Sequence, residues 1–300
     1  MKNSIIVLIL IVVLAGVGIY LYQDNFSFSG PNNSTDTQES QDTTGEETGE
    51  VADEPETVIG QSVEGRDITA YHYGTGETEI LFVGGIHGGY SWNTALVAYE
   101  LMDYLEENPG VVPSNVKVTV IPVLNPDGLN KVTGTAGRFT RADVSTTQSV
   151  LVSGRFNANS VDLSRNFDCN WQSTGVWQTT PVSGGSRAFS EPESRAIQGY
   201  VSANRPDAAV VWYSAAGGVY ASSCGNGTST QTSALTNLYA NASGYPAHES
   251  FDFYETTGDM VNWLAKNNIP AVSVLLSTHA DIEWDKNKSG IDAVLQSYAE

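Results

Sequence analysis

Residues 84–94, GGIHGGYSWNT, join the apolar run Ile80-Leu81-Phe82-Val83 to a helical pattern that opens at Trp92. A short apolar run bounded by glycines reads as a buried strand. The segment therefore delivers His87 at a strand end, where α/β sheets gather their ligands. An imidazole in that place is a candidate metal ligand. A metal centre needs further ligands, however, and the following position where a carboxylate would serve is Ser91.

Outward from this segment, short apolar runs alternate with helical patterns. Residues 116–123, 208–212 and 271–276 read as further buried strands, and helices are expected near 92–107, 190–203, 232–242, 258–267 and 289–299. Ser190 and Glu193 have the spacing of a capping box at the start of one of these helices. Asn125-Pro126-Asp127-Gly128 reads as turn chemistry, with glycine where a positive φ would be needed. Strands interleaved with helices predict an α/β fold: a single globular domain over residues 59–300, with a mixed, mostly buried sheet flanked by helices. His87, Tyr213 and Ser277 all follow strand ends, so a site is expected there.

Two segments precede this domain. Residues 5–22 form an unbroken apolar run of 18 residues, at the threshold for spanning a bilayer. With Lys2 before it and acidic residues after it, residues 1–22 are expected to anchor the chain with its remainder outside the cytoplasm. A cleaved signal peptide, giving a secreted protein, is the competing reading. Between Gln23 and Val58 there are ten Asp and Glu and no Lys or Arg, in a background of Ser, Thr, Gln and Gly. Residues 23–58 are thus expected to be a disordered acidic linker. The whole chain carries 14 Lys and Arg against 34 Asp and Glu, a net charge of -20. Nucleic acid is therefore excluded as a partner, since no basic surface is available to neutralise phosphates.

The chain has two cysteines, Cys169 and Cys224. In an exported domain they are candidates for one disulfide, with two separate buried thiols as the alternative. His72 reads as a satisfied strand histidine and His248 as a loop residue. His279, near Asp281 and Glu283, belongs to a polar loop after the last core strand. Ser214 as a nucleophile would need a histidine base, and its local sequence offers none. Arg165 has Asp162 and Asp168 beside it in sequence, so a structural ion pair competes with a binding role.

Seven motifs in order resemble those of the zinc carboxypeptidase family, the carboxypeptidase A and T group, across nearly all of residues 60–285. They are GGIHGGY after a strand, LNPDGL at 124–129, GRF and DLSRNFDCNW within 154–171, SEPES at 190–194, VVWYS at 210–214, YETTGDMVNWL at 254–264 and IPAVSVLL at 269–276. The resemblance implies zinc as cofactor and peptide C-termini as substrates. It puts the first zinc ligand on His87, the second on Tyr90 or Ser91 with Ser91 preferred, and the third on Tyr213. The glutamate general base falls on Leu275. The pair that grips a terminal carboxylate falls on Ser164 and Arg165, the arginine that polarises the scissile carbonyl on Arg141 with Arg138 as rival, and the closing phenol on Tyr254.

Only His87 retains its ligand chemistry in that assignment. Catalytic zinc sites use three protein ligands plus water, and neutral serine or phenol does not replace a carboxylate or an imidazole. Leu275 cannot accept the proton of a metal-bound water. The expectation is a cell-surface domain of this family that has lost its zinc chemistry, with zinc weakly held or absent. It would still bind peptide C-termini or cell-wall stem peptides. An active carboxypeptidase with a remodelled zinc site and a purely structural surface domain are the alternatives.

Overall fold

The computed structural model of the chain describes residues 55–299. Residues 1–22 and nearly all of the expected linker lie outside the described residues. Among the described residues no helix is long and apolar enough to cross a membrane. The first strand, β1 (Glu56–Gln61), begins inside the stretch assigned to the linker. It forms an antiparallel pair with β2 (Asp67–Tyr73), and this pairing gives Glu56, Thr57 and Val58 partners that their composition alone does not reveal.

The core of the sheet consists of β3 (Thr78–Val83), β4 (Val116–Ile121), β7 (Ala208–Ser214) and β10 (Ala271–Leu276). They run in the order β4-β3-β7-β10 and all neighbours are parallel. The outer strands β2 and β8 (Gly218–Ala221) pair antiparallel with β4 and β10, and β9 (Ala247–His248) closes the far edge, so the sheet is mixed and eight-stranded. Strands β5 (Thr174–Trp177) and β6 (Thr180–Ser183) form a separate hairpin. His248 therefore sits in an edge strand rather than a loop.

The period-two alternation of the core strands separates two apolar layers. Phe82, Val120, Val210, Trp212 and Val274 pack on one face, and Leu81, Val83, Val211, Tyr213 and Leu275 on the other. The first face is covered by α1 (Trp92–Glu107), α5 (Thr230–Ser243) and α7 (Trp284–Ser297), and the second by α4 (Pro192–Asn204) and α6 (Met260–Lys266). Two shorter helices, α2 (Pro126–Thr133) and α3 (Gln148–Ser153), complete the fold.

Two local expectations are corrected. The NPDG segment opens α2: Asn125 is its N-cap and accepts a hydrogen bond from Gly128 N, and Pro126 supplies the first helical position. Ser190 and Glu193 make no capping box. The N-cap of α4 is Glu191, without a side-chain cap, and Glu193 instead accepts from Val63 N and Asn157 Nδ2.

Candidate functional site

The parallel strands β3, β7 and β10 open at their carboxyl ends into one cleft of about 650 Å³. Its histidine loop depends on Gly88, which has φ 43°; a Cβ there would lie 2.7 Å from Gly154 O and 2.8 Å from Gly128 C. Glycine is the residue that meets both conditions. Cys169 and Cys224 form a disulfide with a Cα–Cα distance of 5.8 Å, joining the 162–171 segment to the loop after β8. Gly258 is hydrogen-bonded on either side, its N to Cys169 O and its O to Phe167 N, and this ties the Tyr254 loop to the same wall. The peptide bond from Ser214 to Ala215, at the end of β7, is cis.

His87 is buried at the floor of the cleft, and its hydrogen bonds fix its tautomer. Ser164 Oγ donates to Asp162 Oδ1 at 2.7 Å, which uses its one proton. At 3.0 Å from that hydroxyl, His87 Nε2 must therefore be the donor. Burial, reinforced by the charge of Arg155, lowers the His87 pKa to about 4, so the ring is neutral at physiological pH. Nδ1 then carries a bare lone pair, and it is buried with no hydrogen-bond partner. Burial alone would raise the Asp162 pKa. Arg155 and the His87 contact nevertheless hold its carboxyl well below the usual range, and Arg155 pairs with it through Nε at 2.9 Å and Nη2 at 2.8 Å.

Tyr213 and Leu275 face each other across the register of β7 and β10, and both line the cleft. The Tyr213 ring meets the His87 ring edge-on at 5.4 Å, and its hydroxyl makes no well-formed hydrogen bond, with the Asp259 carboxylate as its polar neighbour. Burial, with the nearby Asp259 carboxylate, pushes this phenol well above its ordinary pKa, so it does not ionise to a phenolate ligand near neutral pH. Arg165 also lines the cleft. It is 2% exposed and donates to Ser164 O, Ser164 Oγ and Val176 O, and its Nε is unpartnered. Neither neighbouring aspartate pairs with it: Asp162 is taken by Arg155 and Asp168 by Lys266. The Tyr254 ring lies 5.8 Å from the Arg165 guanidinium.

Three assignments are corrected by this geometry. Ser91, 1% exposed, is the N-cap of α1 and does not line the cleft; Tyr90 does. Arg141 is exposed, donates to Ala280 O and stacks near Trp92, outside the cleft. Its rival Arg138 pairs with Asp103 on the surface. Beside Arg165, the cleft is lined by Arg155, from the GRF segment, stacked 4.6 Å from Trp177. Nothing in the local sequence of the GRF segment singles out its arginine. The buried partnership with Asp162, seven residues later, is the signal that identifies it.

The donor set does not fit zinc. His87 Nδ1 presents one suitable lone pair, but the family's other ligand and base positions supply phenols and an aliphatic chain, two guanidinium groups already act on His87, and the cleft's remaining candidate donors, Asp259 and His279, do not group with it. Among the described residues no group of three or more His, Cys, Asp and Glu could hold a metal ion. Retained support for one ligand, without the other two, leaves no tetrahedral site.

The sequence model of the zinc carboxypeptidases matches residues 51–288. Carboxypeptidase B of Astacus astacus is 30% identical over 147 residues, covering 47% of this chain and 46% of that protein. Human carboxypeptidase D is 30% identical over 122 residues, 36% of this chain and 8% of its own length, so the chain matches less than half of either relative. Among solved structures, bovine thrombin-activatable fibrinolysis inhibitor is similar with a TM-score of 0.61 at 17% identity, over 81% of this chain and 87% of that one. Murein-tripeptide amidase MpaA from Escherichia coli O157 gives a TM-score of 0.56 at 18% identity, over 82% and 94%. The fold, the strand-end cleft and the match across residues 51–288 agree: the chain belongs to the zinc carboxypeptidase family.

Proposed function

We propose that this domain binds the free C-terminal carboxylate of peptides and does not hydrolyse them through zinc, and that its apolar N-terminal segment holds it at the outer face of the cell membrane. The observation that carries the reading is Arg165: a buried guanidinium on the cleft wall with an unpartnered Nε and no carboxylate within ion-pair distance, although its charge acts on the buried Asp259 of the same cleft. A planar guanidinium so held is pre-organised for the two oxygens of a carboxylate. Tyr254 beside Arg165, and Trp177 and Tyr90 around Arg155, add aromatic walls for the preceding residues. The similarity to a murein-tripeptide amidase, together with the expected location, favours cell-wall stem peptides as the peptide class.

Zinc hydrolysis is set aside because neither the ligand set nor the base is present at Tyr90, Tyr213 and Leu275. Calorimetric titration with a short peptide tests the reading. The free acid is expected to bind and its C-terminal amide to fail. Arg165→Ala should weaken the free acid by about 10- to 100-fold, the worth of a charge-assisted hydrogen-bonding partner. Equal binding of acid and amide, or unchanged affinity in Arg165→Ala, would remove the carboxylate grip.

A further inference from the structure

The cleft holds a second histidine that the carboxylate-binding reading does not use. His279 follows β10 and also lines the cleft, with its Nδ1 3.0 Å from Ser214 Oγ at the end of β7. The two residues are 65 apart in sequence, so only the parallel pairing of β7 with β10 brings them together. Ser214 is further oriented by Asn93 from α1, whose Oδ1 lies 3.1 Å from the same hydroxyl. The Asn93 amide cannot turn over without loss, because its Nδ2 donates to Thr278 O at 2.7 Å and to Asp281 O at 2.9 Å. The imidazole is seated against the Tyr90 ring, with ring centroids 4.5 Å apart.

We propose that Ser214 and His279 form a nucleophile–base pair for acyl transfer, acting on an ester or amide carbonyl bound in the cleft and requiring no metal. Hydroxyl and imidazole stand within hydrogen-bond reach, as a nucleophile and its base must, while the third side chain, Asn93, holds the serine and the Tyr90 ring seats the base. The serine has one proton for two neighbours: it donates to Asn93 Oδ1 at rest, and turning the O–H to His279 Nδ1, in the tautomer that carries its proton on Nε2, points it at the one base of the two. Burial, with the Arg155 charge, lowers the His279 pKa, which keeps the ring neutral and able to take a proton. Arg155 lines the same cleft and lies over the Tyr90 ring that seats His279, which makes it the nearby cation for negative charge developing on a carbonyl oxygen.

The step balances within the site. Ser214 Oγ bonds to the carbonyl carbon as its proton passes to His279 Nδ1, and the carbonyl π pair moves onto oxygen. Return of that pair expels the alcohol or amine, which leaves with the proton from Nδ1. Water then attacks the Ser214 ester with Nδ1 as base, releasing the acid and restoring the hydroxyl. None of these roles uses Arg165, so the pair stands or falls separately from the carboxylate grip.

A fluorophosphonate tests it on the full-length chain in detergent. The Oγ–P bond forms as the P–F bond breaks, with fluoride leaving and the serine proton passing to Nδ1. One equivalent on the folded protein is expected by intact mass, mapped to Ser214 by peptide mass spectrometry. Ser214→Ala should take no label, and His279→Asn should label at least about 100-fold more slowly. His279→Gln serves as a second test of the base, and unfolding midpoints establish that each variant is folded. No label at Ser214 in folded wild-type protein would overturn the proposal, as would equal labelling rates in folded His279 variants. Because the readout is covalent modification, failure here leaves the peptide titration untouched, and the converse also holds.

Discussion

His87 and His279 line the same cleft and are held in opposite ways. His87 is bound from behind: Nε2 donates to Ser164, Ser164 donates to Asp162, and Asp162 is locked by Arg155, which leaves Nδ1 bare at the floor. His279 is bound from the front, its Nδ1 against Ser214. The first arrangement has the kind of outer support that aims a metal ligand, whereas the second has the proximity that activates a hydroxyl. The support around His87 is also a buried ion-pair network that the fold cannot give up cheaply.

The largest test of that difference removes the support. Asp162→Ala leaves the Arg155 guanidinium buried and unpaired, and should cost about 3–5 kcal/mol in urea unfolding. His279→Asn, which breaks one partly buried hydrogen bond, should cost about 0.5–1.5 kcal/mol. Comparable costs at the two positions would erase the contrast.

A smaller effect follows from protonation. The folded-state pKa of His87, about 4, lies below its ordinary 6.5. Between those values the unfolded chain binds a proton that the folded chain refuses, so stability falls as pH drops through this window and is unaffected above it. The shift corresponds to about 3 kcal/mol. His87→Gln should remove that part of the acid sensitivity in denaturation measured from pH 7 to 4. An unchanged slope would mean that burial and the charges of Arg155 and Arg165 do not hold it neutral against the opposing pull of Asp162.

The same contrast marks what the sequence could disclose. Strands β3, β4, β7 and β10 were legible because burial on both faces makes them continuous apolar runs. The edge strands β1 and β9 were not, since their residues are exposed or half exposed, and β8, though mostly buried, is only four residues long. His87, Tyr213, Leu275, Ser164, Arg165 and Tyr254, drawn from separate motifs, line one cleft. Arg141 failed because an arginine's reach is set by its loop, and here that loop turns it towards Ala280. Arg155 was visible in the sequence but lacked a fixed spacing to any partner. Ser214 and His279 could not have been joined from local sequence, because only the register of two parallel strands makes them neighbours.

The central claim is that this cleft recognises a carboxylate without a metal, and it is tested most directly by titrating the free-acid peptide into EDTA-treated protein, then into the same protein after zinc addition and removal of the excess. The account predicts equal affinity in both, with less than stoichiometric zinc retained by elemental analysis. One tightly held zinc per chain, together with peptide binding or release of C-terminal residues only in its presence, would contradict it.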